Sequence, residues 1–388
     1  MTAAAPLLDW LRANSRAFTP TRDLALRAVR HLSKIERKKL FATDIEPMKT
    51  AEGRWFESIV YEMMLAMSQN TDLITGVVRK GADARHQRDR YVLGQNGLFY
   101  SRIGDINIRG NGQDLAEFDL LLVDRGGNLI FGEVVTSPMD MKDFEDEIRY
   151  KKQLLGFLTG QKHVPFLLIS SVDISRISVV RRLLRDPDNV LLMTCTCEEI
   201  KRLFHPEEIR KVPRQPIHHA KLVSAPEIPL AQAVDYKRLH DDLRRNVLES
   251  LLAGRGMPDP GQFPSHQKLV KKVIFGALYP SGVRALGVRC PVTIRGTTID
   301  PLTLEKSFGK VVIAADLPEY EPIIYLRSTA RKEYLKLIRS SAGFRFERFT
   351  PSKVGFVLWL ESIRPSLGGS ITRTLLDGLV PGTGKKTR

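Results

Sequence analysis

The sequence predicts an α/β protein followed by a separate, strongly basic α+β domain. Three observations predict it. Up to residue 205 the chain alternates amphipathic segments with short apolar runs, in the order helix, strands, helix, strand, helix, strand, which places helices against a mixed sheet. From His205 to Pro229, "HPEEIRKVPRQPIHHAKLVSAPEIP" holds five prolines and breaks every periodic pattern, as a linker or an extended crossing segment does. Charge changes at the same place. Of 60 Lys+Arg and 44 Asp+Glu in the 388 residues, positions 210–388 carry 30 and 15, which leaves 30 and 29 for positions 1–209. Nearly all of the net +16 therefore lies in the C-terminal part. The divisions are a helical segment over 1–50, the α/β domain over 51–205, a proline-rich linker over 206–230 and the basic domain over 231–388.

Each element has its own signal. "TRDLALRAVRHLSKIERKKL" (Thr21–Leu40) sets Leu24, Leu32 and Ile35 among basic residues, the pattern of an amphipathic helix. "EGRWFESIVYEMMLAMSQN" (Glu52–Asn70) is a second, more apolar helix. Short strands follow around Leu73–Val78 and Tyr100–Ile108. "EFDLLLVDRGGNLIFGEVVTS" (Glu117–Ser137) is two apolar strands around a glycine turn. "MKDFEDEIRYKKQLLGFLTG" (Met141–Gly160) is a helix, "VPFLLISS" a strand, "SRISVVRRLLRD" a helix and "NVLLMTC" a strand. In the basic domain, "DYKRLHDDLRRNVLESLLAG" and "SHQKLVKKVIFGAL" read as amphipathic helices, the second offering Lys268, Lys271 and Lys272 to phosphates. Ser328 is a cap for a helix over "TARKEYLKLIRS", which would set Lys332, Lys336 and Arg339 on one stripe. "GFRFERF" alternates aromatic and charged residues as a half-buried strand does; stacking of the aromatics on bases is the other reading.

Composition excludes several classes. With 43% apolar and 27% charged residues the chain is ordinary globular protein. No apolar run approaches the ~18 residues of a membrane span, so no membrane partner is expected. The start, Met1-Thr-Ala-Ala-Ala-Pro, lacks the basic n-region of a signal peptide. Three cysteines argue for a reducing intracellular compartment, cytoplasmic or nucleoid/nuclear, rather than a disulfide framework. Cys195 and Cys197 lie two apart, on one side of a strand, as buried thiols without a second ligand pair for zinc. The basic C-terminal part is a footprint for a polyanion, with nucleic acid first and DNA ahead of RNA. A homodimer or a protein complex stays open. "GLVPGTGKKTR" lacks the spacing of a phosphate-binding loop and reads as a basic tail. Arg176, Arg181, Arg182 and Arg185 read as a solvated face or a phosphate track, and His86 as solvated surface or a loop residue approaching a metal.

The glycine hairpin carries the chemistry. Each strand holds one acid in an apolar run, Asp119 in the first and Glu133 in the second, where solvating a carboxylate is expensive. If Arg125, Gly126 and Gly127 form a three-residue turn, Asp124 pairs with Asn128 and Asp119 stands opposite Glu133, with Cβ atoms about 4.5–5.5 Å apart. A two-residue turn would put the acids on opposite faces. Two like charges that close in an apolar setting need a proton or a bridging cation, and Mg²⁺ or Mn²⁺ suits the pair.

A helix glutamate (Glu57, in "GRWFESIVYEMM"), a strand aspartate (Asp119), then a glutamate on the next strand (Glu133) and a helix resemble the PD-(D/E)xK nuclease superfamily, over residues 51–171. The resemblance implies a restriction-endonuclease-like α-β-β-β-α-β core and metal-dependent hydrolysis of phosphodiesters, with Asp119, Glu133 and Glu57 at Mg²⁺ or Mn²⁺. Phe118 stands where the family's name has proline. The tripeptide is Glu133-Val134-Val135, so valine holds the lysine position. Some members take that lysine from the following helix. There Lys151 falls inside the apolar arc of Phe144, Ile148, Leu155 and Leu158, with Lys152 at its edge. Lys151 either serves the metal site or pairs with Glu147 one turn earlier. Glu57 is either a ligand or a helix-edge acid. Tyr150 and Gln153 resemble a helix motif of nucleases that trim DNA ends. The other readings are a catalytically inactive nuclease-fold scaffold that binds nucleic acid or protein, and an α/β hydrolase or transferase in which the two acids meet by chance.

Overall fold

The computed structural model describes residues 4–15, 18–84, 96–110, 113–141, 143–230, 235–294, 297–330, 333–340, 343–349 and 359–380. His86, Lys332, the side chain of Arg339 and the tail beyond Val380 lie outside what is described. The chain is a mixed α/β protein with two compact units, one of residues 1–90, 97–109 and 114–234, the other of 91–96, 110–113 and 235–388.

The first unit opens with short helices α1 (Ala5–Ala13), α2 (Arg22–Ala28) and α3 (Lys34–Lys39), then the long α4 (Ile45–Ser68). Pro47 is tolerated in α4 because it falls in the first turn, where backbone N–H groups have no intrahelical acceptor. Strands β1 (Ile74–Val78), β2 (Asn96–Tyr100), β3 (Ile106–Gly110), β4 (Gln113–Phe118), β5 (Leu120–Asp124) and β6 (Leu129–Val135) follow. Next come α5 (Phe144–Thr159), β7 (Phe166–Ser170), α6 (Ser178–Leu183), β8 (Asn189–Met193), α7 (Cys197–Lys201), α8 (Pro206–Lys211) and β9 (Leu222–Val223). The main sheet has the order β8-β7-β6-β5-β1-β9, and β2-β3-β4 form a smaller one. β1, β5 and β6 run antiparallel in turn, β6, β7 and β8 are parallel, and β9 is parallel to β1.

Trp55, Phe56, Ile59, Val60 and Met64 of α4 share a core with Leu120, Leu122, Ile130, Leu167 and Ile169 of the sheet. Each such side chain contributes about 1.5–3 kcal/mol by leaving water. On the other face, Phe166 lies 5.0 Å from Phe131 and 6.2 Å from Phe144 of α5, centroid to centroid. α5 is the crossover that lets β6 and β7 run parallel.

A buried ionic cluster joins the N-terminal helices to the unit. Arg30 donates to Glu62 Oε1 from Nε and Nη2 at 2.9 and 2.7 Å and to Asp83 Oδ1 from Nη1 at 2.6 Å. His31 Nδ1 accepts from the Ala82 N–H at 3.0 Å, so Nε2 carries the proton shared with Glu62, 3.0 Å away, and the ring is neutral. Burial alone would raise the Glu62 carboxyl, but the His31 hydrogen bond and the Arg30 charge outweigh it and hold it at about 2. Asp83 also accepts the Ile217 N–H at 2.8 Å. The proline-rich stretch is thus an integral part of this unit, through α8, β9 and this contact, rather than a free linker.

The second unit has α9 (Tyr236–Leu252), β10 (Lys272–Leu278), α10 (Pro280–Arg289), β11 (Val292–Ile294), β12 (Thr297–Ile299), α11 (Pro301–Ser307), β13 (Phe308–Asp316), β14 (Glu321–Ser328), β15 (Tyr334–Ser340), β16 (Gly343–Phe349), β17 (Pro365–Leu367) and α12 (Gly369–Leu379). Its sheet, β16-β15-β14-β13-β10-β17, is antiparallel except for the β10–β17 pair. No helix among the described residues is long and apolar enough to cross a membrane.

Several expectations are corrected. Thr21–Leu40 is not one helix: the chain is extended at Leu32, and Ser33 starts α3 with a Ser33/Glu36 capping box. The helix placed at Glu52–Asn70 begins seven residues earlier, at Ile45, and Tyr100–Ile108 is two strands around a turn. "SHQKLVKKVIFGAL" is a short turn and β10, because Val273, Ile274 and Phe275 are β-formers buried together at 0% exposure between β13 and β17. "TARKEYLKLIRS" ends in β15, not a helix; Ser328 closes β14, its N–H donating to Glu333 O. Lys336 therefore stands between Tyr325 and Glu347 on neighbouring strands. "GFRFERF" is the strand β16. Cys195 and Cys197 share no strand, since β8 ends at Met193 and Cys197 opens α7.

Glu62→Ala should cost about 3–5 kcal/mol, because it leaves Arg30 buried beside a missing partner. The Glu62 carboxyl is held below its unfolded pKa of about 4.3. Its stabilisation is full above that pH and drains as pH falls toward about 2. Urea denaturation across this window should show a shallower acid loss in Glu62→Gln than in the parent.

Candidate active site

The hairpin turn has three residues. The Asp124 N–H donates to Asn128 O at 3.0 Å, Asp124 Oδ1 accepts from the N–H groups of Gly126 and Asn128 at 2.8 Å each, and Gly127 takes φ 77°, where a side chain would be strained. Pairing then runs Val123 with Leu129, Leu122 with Ile130, Leu121 with Phe131 and Leu120 with Gly132. One further step puts Asp119 opposite Glu133. Asp119 is not inside a strand, however. It is the bend at which the chain leaves β4, in the smaller sheet, and enters β5, in the main one. Its Oδ2 is fixed by the Val134 N–H at 2.9 Å.

Lys151 reaches Glu133. Its Nζ lies 2.7 Å from Glu133 Oε2 and 2.8 Å from Glu147 Oε1, so the site contact and the helical pair both exist. Burial would lower the Lys151 pKa, but Glu133 and Glu147 raise it, and the ammonium stays charged. Lys152 turns away to Asp186, at 2.7 Å. Gln153 is exposed and Tyr150 half-buried on α5. Arg176, Arg181, Arg182 and Arg185 are all exposed, with Arg182 on Glu145 at 2.8 Å.

Glu57 comes to Asp119 through Lys80, a residue the sequence reading missed. Lys80 Nζ lies 2.9 Å from Glu57 Oε2, 3.1 Å from the Asp119 main-chain oxygen and 3.5 Å from Asp119 Oδ1. It follows β1 and precedes Gly81, whose N–H donates to Gly104 O at 2.9 Å. A Cβ on Gly104 would sit 2.5 Å from Gly81 O, so glycine alone allows these two backbones to touch. The turn at Gly104 also delivers Asp105, which takes Arg54 at 2.9 Å. Arg54, one helical turn before Glu57, approaches Glu57 at 3.4 Å and Glu117 at 3.9 Å.

Among the described residues in ion pairs here, acids outnumber cations. Glu57, Asp105, Glu117, Asp119, Glu133 and Glu147 surround Arg54, Lys80 and Lys151. Burial raises the carboxyls of Glu57 and Glu133, with the Asp119 charge adding to each; burial and Asp105 raise Glu117. Glu133 Oε1 is buried without a hydrogen-bond partner among the described residues. A divalent cation on Asp119 and Glu133 would satisfy that oxygen and offset the excess charge, so the donor set suits a hard ion such as Mg²⁺ or Mn²⁺.

The tightest acid and histidine group among the described residues lies elsewhere. His31, Glu62 and Asp83 bring three donor atoms within 4.8 Å of one another, but the Arg30 guanidinium already fills the space a metal would need. Glu57, Asp119 and Glu133 do not converge as closely, since Lys80 stands between the first two.

Comparison with protein-family models gave no match, and comparison with curated proteins gave no significant one.

Glu133→Gln offers a pH test of the charge excess. The Glu133 pKa is raised on folding. The folded chain therefore binds the proton more tightly, and stability present below the unfolded value of about 4.3 is lost as pH rises. Without divalent ions, Glu133→Gln should melt at a higher temperature than the parent near neutral pH, and the difference should shrink at acid pH.

Proposed function

We propose that this chain is a metal-dependent nuclease of the PD-(D/E)xK type, with a restriction-endonuclease-like core. The observation that carries the reading is Lys151, drawn from the helix after Glu133 to 2.7 Å from its carboxylate, while the other Glu133 oxygen is buried with no partner among the described residues. The order α4-β1-β5-β6-α5-β7, with an antiparallel meander and one parallel crossover, supports the core assignment. Asp119 and Glu133 would hold Mg²⁺ or Mn²⁺, which supplies an acidified water and offsets charge on the phosphoryl oxygens. The Val134 N–H fixes the Asp119 carboxylate. Lys151 orients Glu133 and presents a positive charge beside the position of the attacking water. Glu57 accepts from Lys80, which keeps that carboxylate facing Asp119.

The C-terminal unit would bind the nucleic acid backbone. Lys268, Lys271, Arg345 and Arg348 are exposed there, and the charge excess of that region supports a polyanion, with DNA favoured.

The second reading is a scaffold without catalysis. It is favoured by Val135 in the tripeptide's lysine position and by the neutralisation of Glu57 and Asp119 by Lys80.

Cleavage of single- and double-stranded DNA and RNA with Mn²⁺ separates the two. The parent should cleave, and Asp119→Ala and Glu133→Ala should lose both Mn²⁺ binding and cleavage. Lys151→Ala should lose at least about a hundredfold in rate, the scale of one transition-state donor, with Mn²⁺ affinity kept. Lys152→Ala should stay near the parent. A parent inactive on every substrate hands the case to the scaffold.

Binding of the whole chain to DNA should weaken steeply with salt, as phosphate neutralisation requires. A chain ending at residue 234 should bind far more weakly at every salt concentration. Equal binding by the two chains would remove the C-terminal unit from the account.

A further inference from the structure

We propose that Lys80 holds the place of a second cation in this centre, so that the site takes one divalent ion and not two. The inference rests on the metal-dependent reading above and goes beyond it by fixing the number of ions.

Lys80 Nζ has three oxygen neighbours: Glu57 Oε2 at 2.9 Å, the Asp119 main-chain oxygen at 3.1 Å and Asp119 Oδ1 at 3.5 Å. An ammonium has three donors and no acceptor, so every N–H of Lys80 has an oxygen to meet. Its side chain is 7% exposed, which leaves no solvated position to which the charge could retreat without rearranging the wall around it. Arg54 adds a second positive charge 3.4 Å from the same Glu57 oxygen. The Glu57 side of Asp119 is therefore committed to cations that belong to the chain.

The Glu133 side differs. Glu133 Oε2 meets Lys151 at 2.7 Å, but Oε1 is buried with no partner among the described residues. Asp119 Oδ2, which accepts only the Val134 N–H at 2.9 Å among the described contacts, keeps acceptor capacity. The unused acceptors are thus between Asp119 and Glu133. Two-ion centres place their ions about 3.5–4 Å apart around shared carboxylates. A second ion here would have to enter between Glu57 and Asp119. There it would displace an ammonium with three contacts and leave it buried among cations. A fixed charge on that side also needs no exchange with solvent, so the centre depends on a single exchangeable ion.

The number of bound ions tests this directly. Equilibrium Mn²⁺ binding to the full chain at neutral pH, read by isothermal calorimetry and by the electron paramagnetic resonance signal of the free ion, should give one ion per chain. Lys80→Met should give two, since it vacates the position and leaves Glu57 and Asp119 unneutralised. Lys80→Met combined with Glu57→Gln should return to one. If Lys80→Met does not fold, as judged by near-ultraviolet circular dichroism, Lys80→Gln keeps a donor amide without the charge and is read the same way. Two ions in the parent, or one in a folded Lys80→Met or Lys80→Gln chain, would overturn the role of Lys80 while leaving the metal centre standing. No ion bound to the parent would overturn the metal centre itself, and this inference with it.

Discussion

Gly127, held at φ 77°, closes a turn of three residues, and that odd number determines what the rest of the first unit can do. Side chains alternate along a strand, so a turn one residue shorter would send Asp119 and Glu133 to opposite faces. With three residues, the ladder from Val123–Leu129 to Leu120–Gly132 points the next position, Asp119, at Glu133. Everything that gathers around the two acids depends on this register. Lys151 reaches Glu133, the Val134 N–H reaches Asp119, and Lys80 binds Asp119 and Glu57 together. A slip of one residue would take Asp119 from Lys80 or Glu133 from Lys151 and leave each buried lysine with only its helix carboxylate, Glu57 or Glu147, so the acids and lysines also enforce the register that the turn begins.

The proposed site differs in its charge balance from the other buried ionic cluster of this unit. Ion pairs that only stabilise have matched charges and no orphaned atoms. The cluster of Arg27, Arg30, Glu62, Asp83 and neutral His31 is of that kind, with two cations against two carboxylates, and its donors and acceptors are engaged with one another. Among the described residues around Asp119 the carboxylates exceed the cations, two of them, Glu57 and Glu133, are pushed up by burial and by Asp119, and one oxygen has no partner. Burying that excess of carboxylate works against folding, and such perturbed groups cluster at functional sites.

Much of this was legible in the sequence because it follows from local rules. The hairpin follows from the Gly126-Gly127 pair, although that pair left turns of two and three residues both open, and the position of Lys151 follows from the apolar arc of α5. The helical reading of β10 and β15 failed for a different reason. Lys271, Lys272 and Lys336 gave those segments an amphipathic look, whereas their position in the sheet is settled by long-range pairing with β13, β14 and β16. Lys80 was invisible because nothing in "VVRKGAD" marks it. Its importance comes from the contact of Gly81 with Gly104, more than twenty residues away in sequence. A lysine two residues past an apolar strand and just before a glycine was the only available hint. Asp119 itself was read as a strand residue, and its bend arises because β4 and β5 belong to different sheets.

The central claim is that a divalent ion belongs between Asp119 and Glu133. Anomalous diffraction from crystals soaked in Mn²⁺ tests it most directly. The account predicts a peak at coordination distance from Asp119 and from Glu133 Oε1, with Lys80 still on Glu57 and Lys151 still on Glu133. No peak there, with Mn²⁺ found instead among His31, Glu62 and Asp83 or nowhere in the first unit, would contradict it.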